Sequence, residues 1–172
     1  MNTQLLADQI KSLVDACDVS KYARRAGLRA ITTFEHLPYL DMERMNQVLP
    51  AAPFTVADDG TVSRKSGVDD MEFINGVITA LDAYYLLVDP PLSQDYYTIY
   101  QAAAYLHVAR ISLKKSIERT GKPDFQRSRS RDLIFTKASL DEWNEARKPA
   151  GNPNWVLNEA CLLYTSPSPR DS

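Results

Sequence analysis

The chain has 172 residues, 44% of them hydrophobic, which is enough for one or two domains each with its own core. Its formal net charge is −2; no run of apolar residues approaches a membrane span, and no charged region with a hydrophobic signal core opens the N-terminus, so a soluble cytoplasmic protein with no membrane partner is expected. Cys17 and Cys161 stand far apart and outside any Cys-x-x-Cys or Cys/His cluster, which argues against a disulfide framework or a structural metal.

Taken in chain order, Leu5, Leu6, Ile10, Leu13 and Val14 predict an amphipathic helix over residues 4–16. Asp18 or Ser20 can cap a second segment, 19–26, that stops at Gly27, after which 28–37 continues with Ile31, Phe34 and Leu37 before Pro38. Ala23, Gly27 and Thr33 have a spacing close to the older phage-repressor helix-turn-helix, with Arg24, Arg25 and Arg29 beside them, but Glu35, Asp41 and Glu43 follow closely. Two readings of 19–37 therefore stand, a second DNA-binding unit and a helical packing or dimerisation module.

Between residues 50 and 67 the composition turns to Pro, Ala, Asp, Gly and Ser. Phe54-Thr55-Val56, the turn Asp58-Asp59-Gly60, and Thr61-Val62-Ser63 form a hairpin signal, and turn chemistry accounts for the acidic pair without a metal. Residues 68–88 are the longest helical stretch, with Phe73, Ile74, Val77, Ile78, Leu81, Tyr84, Tyr85 and Val88 on a broad apolar face. That face must meet the N-terminal helices, the C-terminal part of the chain or a second copy, and its width makes self-association through residues 1–95, as a homodimer or cooperative oligomer, an expectation. Residues 90–95, Pro-Pro-Leu-Ser-Gln-Asp from Pro90, resemble a short semi-rigid linker, so 1–89 is taken as an acidic helical module.

From 96 to 148 the local signals become dense. Thr98 with Gln101 is a capping box, and Ala102, Ala103 and Leu106 carry a short helix that His107 and Val108 interrupt. Ile111, Leu113 and Ile117 then define a second helix that ends at Gly121, shortly before Pro123. Off its apolar stripe stand Arg110, Ser112, Lys114, Lys115 and Arg119, basic and hydroxyl groups of the kind that contact phosphates and base edges. Arg127, Arg129 and Arg131, spaced by serines, suit the exposed tip of a hairpin, and Leu133, Ile134 and Phe135 return the chain to a core. Leu140 and Trp143, at i and i+3, mark a short closing helix.

Tyr97-Thr98, Ala102-Ala103-x-x-Leu106-x-Val108, Arg110-x-x-Leu113-x-x-x-Ile117 and the run from Ile134 to Trp143 resemble the small winged helix-turn-helix domains of the excisionase and MerR-like group. His107 and Ala109 stand where that family usually has a turn Gly and a capping Ser. The resemblance implies that the second helix, Arg110 to Arg119, enters the major groove and that Arg127 to Arg131 contact the adjacent backbone or minor groove. The fold class expected is mainly α, an N-terminal helical module with a small β-hairpin followed by a winged helix-turn-helix.

Charge follows the same division: 96–148 holds 11 basic and 6 acidic residues, whereas 1–95 holds 8 basic and 14 acidic. A basic module beside an acidic one is expected if one end meets a polyanion. The function expected is sequence-specific binding of double-stranded DNA by a phage, plasmid or bacterial transcription regulator or a recombination accessory factor. The competing class is an interaction or assembly protein that uses the same fold as a scaffold. With only His36 and His107 as histidines, no phosphate loop and no nucleophile elbow, neither catalysis nor a cofactor is expected. Residues 149–160 form a tail of little periodicity, and 161–172 resemble the in-frame translation of a transposase-type sequencing adapter rather than native sequence.

Overall fold

The computed structural model describes residues 2–147; the tail and the adapter-like segment lie outside the described residues. The chain is mainly helical, with two small antiparallel sheets, and divides into two compact units between Val88 and Asp89.

The N-terminal unit starts with α1 (Thr3–Asp15), capped by Asn2, whose Oδ1 accepts from Leu5 N at 2.8 Å. Ser20 caps α2 (Lys21–Glu35) through Ala23 N at 3.1 Å. Helix α2 runs unbroken through Gly27, which corrects the expected break and removes the turn that a helix-turn-helix over 19–37 would need. A glycine costs a helix interior about 1 kcal/mol, but here the position is buried, and a Cβ on it would lie 3.5 Å from both Ile74 Cδ1 and Val14 Cγ1. Packing against two other helices, not turn geometry, occupies the residue.

Helix α3 (Met42–Val48) is capped by Asp41 and runs into a 3₁₀ turn, Leu49–Ala51. Strands β1 (Phe54–Val56) and β2 (Val62–Arg64) pair with Val56 opposite Val62, so the loop holds five residues and β2 starts one residue later than the alternation predicted. Within that loop Asp59 Oδ1 accepts from Thr61 N at 2.9 Å, a bond that holds its carboxyl below the usual carboxylate range. Gln9 of α1 ties the hairpin down by accepting from Val62 N at 2.9 Å.

Helix α4 (Asp70–Val88) is the core of this unit, with Phe73, Ile74, Val77, Ile78, Leu81 and Tyr84 all buried. It packs on α2 and α3, where Phe34 meets Tyr84 edge to face at 5.5 Å and the Tyr84 hydroxyl accepts from Asp41 N at 2.8 Å. At Gly76 a Cβ would come within 2.6 Å of Pro53 Cγ, so that approach requires a residue without a side chain. By length and composition alone α4 qualifies as a membrane span, contrary to the reading of apolar runs. Seven of the eight residues expected on its apolar face are nevertheless buried inside the unit, Val88 being half-buried, and it carries Asp82, 1% exposed and bound by Arg29 of α2 through two hydrogen bonds, 2.8 and 3.1 Å. The surplus apolar face that motivated self-association is thereby accounted for within one chain.

The C-terminal unit contains β3 (Tyr97–Thr98), α5 (Ile99–Leu106), α6 (Arg110–Thr120), β4 (Gln126–Arg127), β5 (Leu133–Phe135) and α7 (Lys137–Ala146). Its sheet has the order β3-β5-β4. Strand β3 was not foreseen: Tyr97 and Thr98 pair with Phe135 and Ile134, while Thr98 also completes the expected capping box with Gln101. The stretch expected to be a linker belongs to this unit, since Lys137 N donates to Gln94 O at 2.7 Å and Gln101 Nε2 to Asp89 O at 3.1 Å. Ala102, Ala103, Leu106, Leu113, Phe135 and Leu140 form the core, with Val108, Ile117 and Trp143 packed against it.

Candidate nucleic-acid interface

His107 ends α5 in the left-handed region, φ 59°, and the chain reverses over His107, Val108 and Ala109 before α6. Histidine tolerates that conformation less readily than glycine, but Val108 N donating to Ala103 O at 3.0 Å and the burial of Val108 against the core hold the reversal. No side chain caps α6 at Ala109. At its other end Gly121, φ 73°, closes the helix with N–H to Ile117 O at 2.8 Å.

The rotation of α6 is set by its inner face, Leu113, Ser116 and Ile117. Leu113 is fully buried in the core. Ser116 is the polar pin: its hydroxyl donates to Lys122 O at 2.6 Å and accepts from Trp143 Nε1 of α7 at 2.9 Å. Sequence reasoning passed over this serine, although its place three residues after Leu113 puts it on the inward face.

Outward from that face the structure places Arg110, Ser112, Lys114, Lys115 and Arg119, all exposed. The Arg110 guanidinium lies over the Tyr100 ring of α5 at 4.3 Å, so its planar fork is held at the start of α6. Among the described residues, the side chains of Lys114, Lys115 and Arg119 hold no hydrogen bond or ion pair. Ile111 corrects the expected stripe. It is 56% exposed, because a residue two positions from Leu113 cannot share its helix face.

The predicted hairpin is present, β4 pairing with β5 through Gln126 to Ile134 and Arg127 to Leu133. Arg127, Arg129 and Arg131 are all exposed there, but they are not equivalent. Arg127 Nη1 donates to Arg131 O at 3.0 Å, and its guanidinium lies 5.7 Å from the Phe125 ring centroid, so it braces the tip. Arg131 sits at φ 68°. The serines fix the tip rather than space it: Asp132 N donates to Ser128 Oγ at 3.2 Å and Ser130 Oγ to Asp132 Oδ2 at 3.0 Å. Arg129 is the one of the three whose backbone and side chain enter none of these bonds.

Three acidic residues of this unit, Asp141, Glu142 and Glu145, stand on α7. Asp141 accepts from Tyr105 OH at 2.6 Å and from Lys137 Nζ at 3.3 Å. Burial and the bond to Asp141 push the Tyr105 phenol up, and the bonds to Tyr105 and Asp141 raise Lys137. That cation is committed to the fold, as is Lys122, raised by its 2.6 Å pair with Asp124. Among the described residues of this unit, the basic groups left uncommitted belong to α6 and the β4–β5 tip, with Glu118 the one acidic side chain on α6. The chain matches no protein-family model, no curated protein and no solved structure.

Proposed function

We propose that the C-terminal unit is a winged helix-turn-helix that binds double-stranded DNA, with α6 in the major groove and the β4–β5 hairpin as a wing on the neighbouring backbone or minor groove. The observation that carries this reading is the row of uncommitted cations on α6, set on a helix whose inner face is fixed by Leu113 and the Ser116 bonds. Phosphate recognition needs cations that have no internal partner, and an oriented helix following a tight reversal is the element that fits the major groove. Arg110, Ser112, Lys114, Lys115 and Arg119 are the groove contacts in this reading, and Arg129 and Arg131, braced by Arg127, are the wing contacts.

The cellular role that follows is that of a phage, plasmid or bacterial transcription regulator, or of an excisionase-like recombination accessory factor in the cytoplasm. One such module buries little surface on a duplex, so specific binding calls for paired or repeated units. Contacts between copies through residues 1–95 would draw on surfaces beyond the apolar face of α4, most of which is buried within the unit. A second reading, a protein-binding scaffold, draws on the exposure of Ile111 and of Tyr100 and Tyr96 on the same unit.

Fluorescence anisotropy with labelled duplex at several salt concentrations separates the two. A DNA-binding unit gives an affinity that falls linearly on a log–log plot, with a slope of about −0.9 for each phosphate neutralised. Absence of duplex binding at low salt would reject the DNA reading.

A further inference from the structure

Ile111, Lys114, Lys115 and Glu118 stand at positions i, i+3, i+4 and i+7 of α6, the spacing of a single helix stripe. All four are exposed, and this stripe lies opposite the buried Leu113 and Ser116. An apolar side chain thus stands on the outermost line of the helix, one turn ahead of two uncommitted lysines. Ile111 is not among the residues packed against the core, so its side chain is available to a ligand that lies along this stripe.

Resting on the DNA-binding reading above, we propose that Ile111 reads the C5-methyl group of a thymine on the floor of the major groove, while Lys114 and Lys115 hold the phosphates around it. Arg110 beside Ile111 and Lys114 and Lys115 one turn on put three cations nearer to it than Glu118, two turns away, and that balance favours a polyanion as the occupant of this stripe. Of the groups that a duplex displays in the major groove, the thymine methyl is the apolar one, and apolar side chains are what meet it. Position within the helix agrees. Base edges are contacted by the N-terminal residues of a groove-bound helix, and Ile111 is the second residue of α6. Arg110 beside it, held over Tyr100, supplies a pre-organised fork for an adjoining base or phosphate.

The test uses the full chain and a duplex enriched from a random pool by binding to it. Each thymine of that duplex is replaced in turn by deoxyuridine, which removes only the C5-methyl group, and affinities are measured by anisotropy for the wild type and for Ile111→Ala. At one or two positions the replacement should weaken wild-type binding by about fourfold, the worth of one methyl taken out of water. Ile111→Ala should bind the thymine and uracil duplexes equally at those positions and keep the wild-type salt slope, because the lysines remain. Circular dichroism of the variant should be unchanged, since the side chain is outside the core. If the wild type binds duplex with a steep salt dependence yet shows no uracil penalty anywhere, the methyl-reading role is overturned and Ile111 is left for a protein contact. A penalty that persists in Ile111→Ala overturns it equally. Failure to bind any duplex rejects the DNA-binding reading itself, a distinguishable result.

Discussion

Arg29 and Arg119 both lie on helices of an amphipathic kind, yet one is a structural group and the other is not. In the N-terminal unit the arginines are largely absorbed by the fold: Arg29 pairs with buried Asp82, Arg24 Nη2 donates to Cys17 O at 2.6 Å, and Arg44 Nε donates to Leu87 O at 3.1 Å. Arg64 reaches both Asp70, at 2.7 Å, and Val68 O. On α6 of the C-terminal unit, Lys114, Lys115 and Arg119 have no such partners among the described residues. Net charge distinguishes the units only coarsely. What separates a cation that holds the fold from one that can hold a ligand is whether an internal acceptor already uses it, and that is the basis for preferring α6 over α2 as the DNA-contacting helix.

The largest expected effect tests the structural half of this contrast. Arg29→Ala removes the bidentate partner of the Asp82 carboxylate, which is 1% exposed in the intact fold, and should cost up to about 3–5 kcal/mol. Denaturant unfolding followed by circular dichroism would measure it. A loss under about 1 kcal/mol would mean that Arg29 is as uncommitted as the α6 lysines, and the contrast would fail at its strongest point.

The converse experiment acts on binding alone. Lys114→Ala with Lys115→Ala should leave the unfolding midpoint within about 0.5 kcal/mol of wild type, as exposed substitutions do. The same variant should lower the salt slope of duplex binding by about 2 and the affinity roughly tenfold or more. Unchanged affinity at low salt would withdraw α6 from the interface.

Within the hairpin the same distinction applies at smaller scale. Arg129→Ala should remove about one phosphate contact from the slope with no change in stability. Arg127→Ala should instead cost up to about 1 kcal/mol, because it deletes the bond to Arg131 O that braces the tip. Equal behaviour of the two variants in both assays would erase the division between brace and contact.

How far the sequence carried this contrast depended on the reach of each signal. Thr98 with Gln101, Gly121 after α6 and the Asp59-Gly60 turn are satisfied within a few residues, and these were legible. Gly27 was misread because its role lies in contacts with Val14 and Ile74, remote in sequence. The partnership of Arg29 with Asp82 spans 53 residues, and nothing local distinguishes that arginine from Arg119. Strand β3 was hidden for the same reason: two residues form a strand only because β5, far along the chain, supplies their partners. Ile111 is different. The contradiction between Ile111 and Leu113 as members of one stripe was present in the spacing itself, and helix geometry alone assigns one of them to the outside.

The smallest effect concerns a half-buried ion pair and is read through pH. Asp70 opens α4, and its carboxylate accepts from Asp18 N at 2.8 Å and from Arg64 Nη1 at 2.7 Å. The backbone bond from Asp18, then the Arg64 bond, hold its carboxyl below the usual carboxylate range. A carboxyl depressed in the folded state contributes stability that is fully present above its unfolded value, about 3.9, and lost as pH falls through the folded value. Asp70→Asn should therefore melt below wild type at pH 7, and the difference should shrink as the pH drops under 4 until both melt alike. The pair is partly open to solvent, so the effect should be small and weakened further by salt. Lys114→Ala, which removes no folded-state partner, should show a melting difference that does not change over the same acid range. A pH-independent difference for Asp70→Asn would show that Asp70 acts by helix propensity or packing, and that Arg64 is not committed to the fold in the way the comparison requires.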